Sequence, residues 1–130
     1  MTTKNLRLLD ANLNRLREGI RVVEDIFRYI LDDKIISSKL KNLRHLSRID
    51  IYEQLLNSRD IKNDVLKIST KSEQSRDNLK DILVSNFKRA QESARVLEEF
   101  TKLISIDDSE NFKNIRYELY DIEKDIVKVS

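Results

Sequence analysis

The chain contains no cysteine, no proline and a single glycine, Gly19. Without cysteine there can be no disulfide framework and no thiolate metal site, which fits a reducing cytoplasmic setting. Without proline and with one glycine, the chain lacks the usual turn formers of a sheet, and no segment shows sustained alternation of apolar and polar residues. A single histidine, His45, cannot build a metal site alone. No run approaches the roughly 18 apolar residues that span a bilayer, and the N-terminal MTTKNLRLLD has no apolar core of a signal peptide. Charge of one sign is also missing. Lysine and arginine number 25 against 23 acids, interleaved almost everywhere, whereas nucleic-acid binders gather basic charge on one face. These absences exclude nucleic acid and membrane as expected partners.

What is present is leucine, isoleucine, lysine and glutamate in helical periods. At 130 residues the chain reads as one helical domain over 1–130. The first helix is expected from about Lys4 to Leu31, with Leu9, Leu13, Leu16, Ile20, Val23, Phe27 and Ile30 alternating at spacings of four and three, the seam of a helix packed on helices. Asp32 and Asp33 should end it. A second helix is expected from Ser37 or Ser38, either of which can cap it, carrying Leu40, Leu43, Leu46, Ile49, Leu55 and Leu56 to about Asn57. Residues 58–70 read as a loop. Thr70 and Glu73 have capping-box spacing, so a third helix is expected from there to about Ile104, on the order of 50 Å long. A fourth starts near Asp108 or Ser109 and carries Phe112, Ile115, Leu119, Ile122 and Ile126.

The two halves repeat. Asn12, Arg15, Glu18, Arg21, Val22, Glu24 and Ile30 recur 74 residues later as Asn86, Arg89, Glu92, Arg95, Val96, Glu98 and Ile104. After a two-residue slip, Lys41-Asn42-Leu43-Arg44-His45 aligns with Lys113-Asn114-Ile115-Arg116-Tyr117. The expected fold is therefore all-α, a four-helix bundle of two pseudo-twofold-related hairpins, with the repeat at about 4–50 and 72–128.

Asn12 and Arg15 sit one position before seam residues, in a row that continues through Gly19 to Val22 and Ile26; Asn86, Arg89 and Ser93 begin the second copy's row. Arginine offers a planar fork of donors suited to phosphate or carboxylate. The row reads in two ways. It is an anion site with Arg15 and Arg89 as its cations, or a polar bundle end held by ion pairs such as Arg15–Glu18 and Glu18–Arg21. Gly19 suits a close helix crossing or room for a flat ligand. In the loop, Arg59, Asp60 and Asp64 could hold magnesium, or simply form a solvated turn. His45, matched by Tyr117, reads as a packing or hydrogen-bonding residue. Walker A, G-x-G-x-x-G, G-x-S-x-G and H-E-x-x-H sequences are absent, so nucleotide handling would need arginines, lysines and helix ends rather than a Gly-rich loop.

The ordered blocks RLLDANLNRLREGIRVVEDIFRYIL, LKNLRH, SRDIKNDV, NFKRAQESARVLEEFTKL and FKNIRYELYDIEK resemble, over nearly the whole chain, a small bacterial family of thiamine biosynthesis. This is the monofunctional hydroxymethylpyrimidine-phosphate kinase, often fused to thiamine-phosphate synthase and also found alone. The standalone form is expected here, as is a functional link to that synthase; the seams also suit homo-oligomerisation. One departure is that Asn63 and Leu66 stand where the family's R-D-x-x-G-D-V-G loop has glycine.

The resemblance implies transfer of the ATP γ-phosphoryl group to hydroxymethylpyrimidine monophosphate, with magnesium. It implies that Arg15, Arg89, Arg44 and Arg116 hold phosphates and that Asn12 and Asn86 orient phosphate or pyrimidine. Glu18 or Glu92 would serve the pyrimidine amino group or the metal, beside Gly19. Asp60 and Asp64 would bind magnesium, with Arg59 on the transferring group. Two other readings remain. Residues 43–59 faintly resemble the first helix of helical chorismate mutases, and the seams alone would suit a non-enzymatic interaction module.

Overall fold

A computed structural model of the chain describes residues 1–70 and 76–129. Among them are five α-helices and no strand. The first, α1 (Thr3–Asp25), is capped by Thr2, whose hydroxyl accepts the Asn5 amide at 3.1 Å. Its expected seam is buried from Leu9 through Phe27. The helix does not end there but widens into a π-turn, Ile26–Ile30. The Leu31 amide reaches back five residues to the Ile26 carbonyl at 3.0 Å. A π-turn holds more residues than an α-turn and rotates the succeeding residues off the seam, so Ile30 is 59% exposed rather than buried.

The exit falls at Asp32, whose φ of 51° lies in the left-handed region that short polar side chains tolerate. Asp33 then caps α2 (Lys34–Leu46), accepting the Ile36 amide at 2.9 Å. The expected serine caps are thus one turn too late; Ser37 instead donates to the Lys34 carbonyl inside the helix. Nor does the second helix continue to Asn57. The Ser47 hydroxyl, fully buried, donates to the Leu43 carbonyl at 2.7 Å where α2 stops. The chain turns, inserts Ile49 into the core, and restarts as α3 (Tyr52–Ser58) with Leu55 inward. Leu46 and Leu56 are consequently exposed. The break also divides the segment that resembled one chorismate-mutase helix.

Residues 59–70 form no helix, as expected. The Thr70–Glu73 capping box lies outside the described residues at Glu73. The third expected helix does begin later: Asn78 caps α4 (Leu79–Thr101), accepting the Asp81 amide at 2.9 Å. With 23 residues α4 is roughly 35 Å long, not 50, and Ile104 lies beyond its end, 42% exposed. Ser105 caps α5 (Ile106–Glu123) two residues ahead of the expected start. A 3-10 turn, Lys124–Lys128, closes the described chain and buries Ile126.

α1 packs mainly on α4, α4 also on α5, and α1 on α2 and α3. The α1–α4 crossing is close because of Gly19. A Cβ there would lie 3.1 Å from the Asn86 carbonyl oxygen and 3.4 Å from the Ala90 Cβ. Close approach of two helices is therefore what Gly19 provides. Two ion pairs hold the hairpins. Arg44 grips the buried Glu24 through both carboxylate oxygens, at 2.7 and 3.2 Å. Arg116 grips the buried Glu98 at 3.0 Å, while Arg95 takes its other oxygen at 3.2 Å.

Candidate functional site

A hollow of about 860 Å³ runs along the N-terminal part of α1 beneath the loop after α3. Its size suits a small-molecule ligand. From α1 come Lys4, Arg7, Leu8, Asp10, Ala11, Asn12, Asn14, Arg15 and Glu18; from the loop come Arg59, Asp60, Ile61 and Asp64. The α1 residues recur at three- and four-residue spacings and so share one side of the helix. Docking of α3 on α1 places the loop above them.

Two clamps tie loop to helix. Arg59 donates from Nε and Nη2 to the two oxygens of Asp10, each at 2.8 Å. Arg7 donates to the Asp60 carbonyl at 3.0 Å. Asp10 is almost wholly buried, and its bond with Arg59, then its charge, raises the Arg59 pKa further. The Asp60 carboxylate accepts the side-chain amide of Asn63 at 2.8 Å and its backbone amide at 3.2 Å. Those bonds, the side-chain one first, hold the Asp60 carboxyl below the usual range. Asp64 accepts the Leu66 amide at 3.0 Å. The turn thus forms through side-chain acceptors, and neither Asn63 nor Leu66 needs a positive φ.

Arg15 and Glu18 are both exposed on the cleft and form no ion pair with each other. Among the described residues, no carboxylate pairs with Arg15 or Lys4. The local ion-pair reading therefore does not hold at Arg15. Asn12 is buried and commits one amide hydrogen to the Leu8 carbonyl at 2.9 Å.

Six of the sequence-predicted site residues converge here: Asn12, Arg15, Glu18, Arg59, Asp60 and Asp64. The others do not line this cleft. Gly19 lies at the α1–α4 crossing instead. Asn86 repeats the Asn12 bond, donating to the Ile82 carbonyl at 2.8 Å, and Arg89 and Glu92 are exposed on α4 without lining the cleft. Arg44 and Arg116 are engaged by Glu24 and Glu98. For Arg44 the Glu24 bond raises the pKa. For Arg116, burial opposes the charge, and bonds to Glu98 and Tyr120 more than offset it. His45 is exposed and outside the cleft.

Lys4, Arg7 and Asp10 were not foreseen as site residues. The only hint is in the repeat, where Asp10 is matched by Val84 and so breaks the correspondence. For a metal, no group of three His, Cys, Asp or Glu side chains gathers anywhere among the described residues. Asp60 and Asp64 both line the cleft, with their carboxylates accepting from Asn63 and from the Leu66 amide.

The geometry defines a class: an all-helical protein with an arginine- and carboxylate-lined cleft between one helix and one loop. More particularly, the chain belongs to the ThiD2 family, whose profile matches residues 7–125. Similar proteins include the thiamine-phosphate synthase of Prochlorococcus marinus, 40% identical over 95% of this chain and 36% of the relative. That of Thermosynechococcus vestitus is 39% identical over 91% of the chain and 34% of the relative. That of Rhodopirellula baltica is 38% identical over 88% and 32%. The chain thus spans about a third of the length of these relatives. No solved structure matches it. Among the described residues no helix is long and apolar enough to cross a membrane.

Proposed function

We propose that the chain is a cytoplasmic phosphotransferase of thiamine biosynthesis, transferring the ATP γ-phosphoryl group to hydroxymethylpyrimidine monophosphate. Membership of the ThiD2 family and similarity to part of several thiamine-phosphate synthases support the pathway. The observation that carries the reading is the cleft, lined by Arg15 and Lys4, which have no carboxylate partner among the described residues, together with Asp60 and Asp64. Such cations, in one cleft with carboxylates that would hold a divalent ion, suit phosphate groups.

The acceptor's phosphate oxygen is already ionised, so no strong base is required. Phosphoryl transfer depends on positioning and on neutralising charge, which matches a cleft without histidine or a nucleophilic serine pair. Arg15 and Lys4 hold phosphate oxygens, Asn12 orients the acceptor, and Glu18 accepts from the pyrimidine amino group. Asp60 and Asp64 would hold magnesium, which would supply charge neutralisation to the phosphates. Arg44 and Arg116 lock the helix pairs through Glu24 and Glu98, and Asn86 bonds the Ile82 carbonyl within its own helix. The scaffold itself is read as a single four-helix domain of two pseudo-twofold hairpins, with α3 added between them.

The test is direct. The purified chain, given the pyrimidine monophosphate, ATP and magnesium, should form the pyrimidine diphosphate and ADP, followed by phosphorus NMR. If no diphosphate appears while the folded chain is verified, the kinase reading is wrong.

A further inference from the structure

Arg59 ends a helix rather than starting a free loop. Leu55, 3% exposed, seats α3 on the core, and the Ser58 hydroxyl donates to the Leu55 carbonyl at 2.7 Å. The backbone beneath Arg59 is therefore fixed before its side chain does anything. A guanidinium carries five N–H donors in a rigid plane. Asp10 takes one from Nε and one from Nη2. Three remain: both on Nη1 and the second on Nη2. One from each Nη forms the end edge of the fork, the edge that meets two oxygens of a phosphate or carboxylate side by side. The Arg59 side chain is 37% exposed and lines the cleft, whereas that of Asp10 is 8% exposed. The acid is the inner, fixed partner and the arginine the outer one.

We infer that Asp10 is a positioning residue, holding Arg59 by its side edge so that the end edge is kept ready for a phosphate-type oxyanion. Arg7, on the Asp60 carbonyl, steadies the next residue in the same way. The role rests on the phosphoryl-transfer reading but is separable from it. Asp10 touches no ligand in this role; it removes the rotamer freedom Arg59 would otherwise lose on binding. It also lowers the local positive charge, so attraction comes from Arg15 and Lys4 while Arg59 contributes geometry.

The experiment compares the wild-type chain with Asp10→Asn and Asp10→Glu. Amide hydrogen exchange over residues 59–64 is read without ligand, and affinity for inorganic pyrophosphate is read by calorimetry on protein verified as folded. Asp10→Asn keeps the shape but weakens the clamp. It should speed exchange several-fold and weaken pyrophosphate by about 10-fold, the scale of a charge-assisted contact. Asp10→Glu should recover part of both. A purely structural Asp10 would lower thermal stability without changing affinity in the folded protein. If Asp10→Asn does not fold, Asp10→Glu displaces the same clamp while leaving Arg59 in place and should show the same two changes in smaller measure. Wild-type exchange and wild-type affinity in these variants would overturn the inference. Wild-type turnover, measured in parallel, judges the kinase reading alone, because neither exchange nor pyrophosphate binding requires it.

Discussion

The two halves use the same contacts to hold their helices but differ in what they do with the exposed side. In each, a buried glutamate on the first helix binds an arginine on the second, Glu24 with Arg44 and Glu98 with Arg116. In each, an asparagine bonds the carbonyl four residues back. Beyond that they part. Along α1, Asp10 and Arg7 tie down the loop after α3 and enclose a cleft. Along α4, Val84 replaces the acid and is exposed, and Lys88 and Gln91 instead hold Glu123 at the end of α5, at 3.3 and 2.8 Å. Among the described residues, the segment after α3 is tied to α1 through Arg59 and Asp60, and this contact is what sets the two helices apart.

The largest expected effect tests the shared part. Arg44→Met leaves Glu24 buried without its arginine, and Arg116→Met removes one of the two arginines on buried Glu98; loss of one partner from such a pair costs about 3–5 kcal/mol. The second loss should be smaller, because Arg95 still reaches Glu98. Denaturant unfolding of both variants measures it, and equal losses would show that Arg95 contributes nothing. Next, Gly19→Ala pushes a methyl toward backbone at the α1–α4 crossing and should cost about 1–3 kcal/mol by overpacking. An unchanged unfolding midpoint would mean that the helices separate freely there.

The functional asymmetry comes third. Arg15→Ala should lower kcat/KM by about 10-fold or more, as loss of a charge-assisted contact does. Arg89→Ala, on the matching position of α4, should change it by less than about 3-fold, since an exposed substitution usually shifts energies by only about 0.5 kcal/mol. Equal losses in steady-state kinetics would mean that both copies bind.

The smallest effect is a pH dependence. Burial, with Asp50 and Asp107 nearby, raises the Asp108 carboxyl pKa. The folded chain then holds this proton more tightly than the unfolded chain. Its contribution to stability is largest below the unfolded pKa and declines as pH rises through the window up to the folded pKa. Asp108→Asn should therefore gain slightly on wild type in thermal melts at neutral pH and lose that gain in acid. The dipole of α5 favours an acid in this first turn and keeps the gain small.

Much of this fold could be read from periodicity, because a repeat of four and three leaves few alternatives to packed helices. The buried seam from Leu9 to Phe27 and that from Leu83 to Thr101 follow it residue by residue. The helix ends did not follow. Ser47 stops α2 through a side-chain bond to Leu43, and its surroundings, His45-Leu46 before it and Arg48-Ile49 after it, hold no glycine or proline to mark a turn. Asp33 outcompetes the serines as a cap because the π-turn and the left-handed Asp32 deliver the chain there. In the site, the repeat pointed to Asn12 and Arg15, but it pointed equally to Asn86 and Arg89. What separates the copies is the Asp10–Arg59 pair, 49 residues apart, and no local spacing encodes a contact at that range. Arg44 and Arg116 were legible as cations, yet their buried glutamates absorb them.

The π-turn at Ile26–Ile30 also settles a matter of length. Glu24 and Arg44 stand 20 residues apart, Glu98 and Arg116 only 18, yet the same clasp closes in both. The wide turn takes up the slack, so the first hairpin carries its surplus residues as a local swelling instead of a shifted register. It is an expansion joint at the tip of the hairpin, and the place where the chain could be lengthened or shortened while the clasp beneath it stays shut.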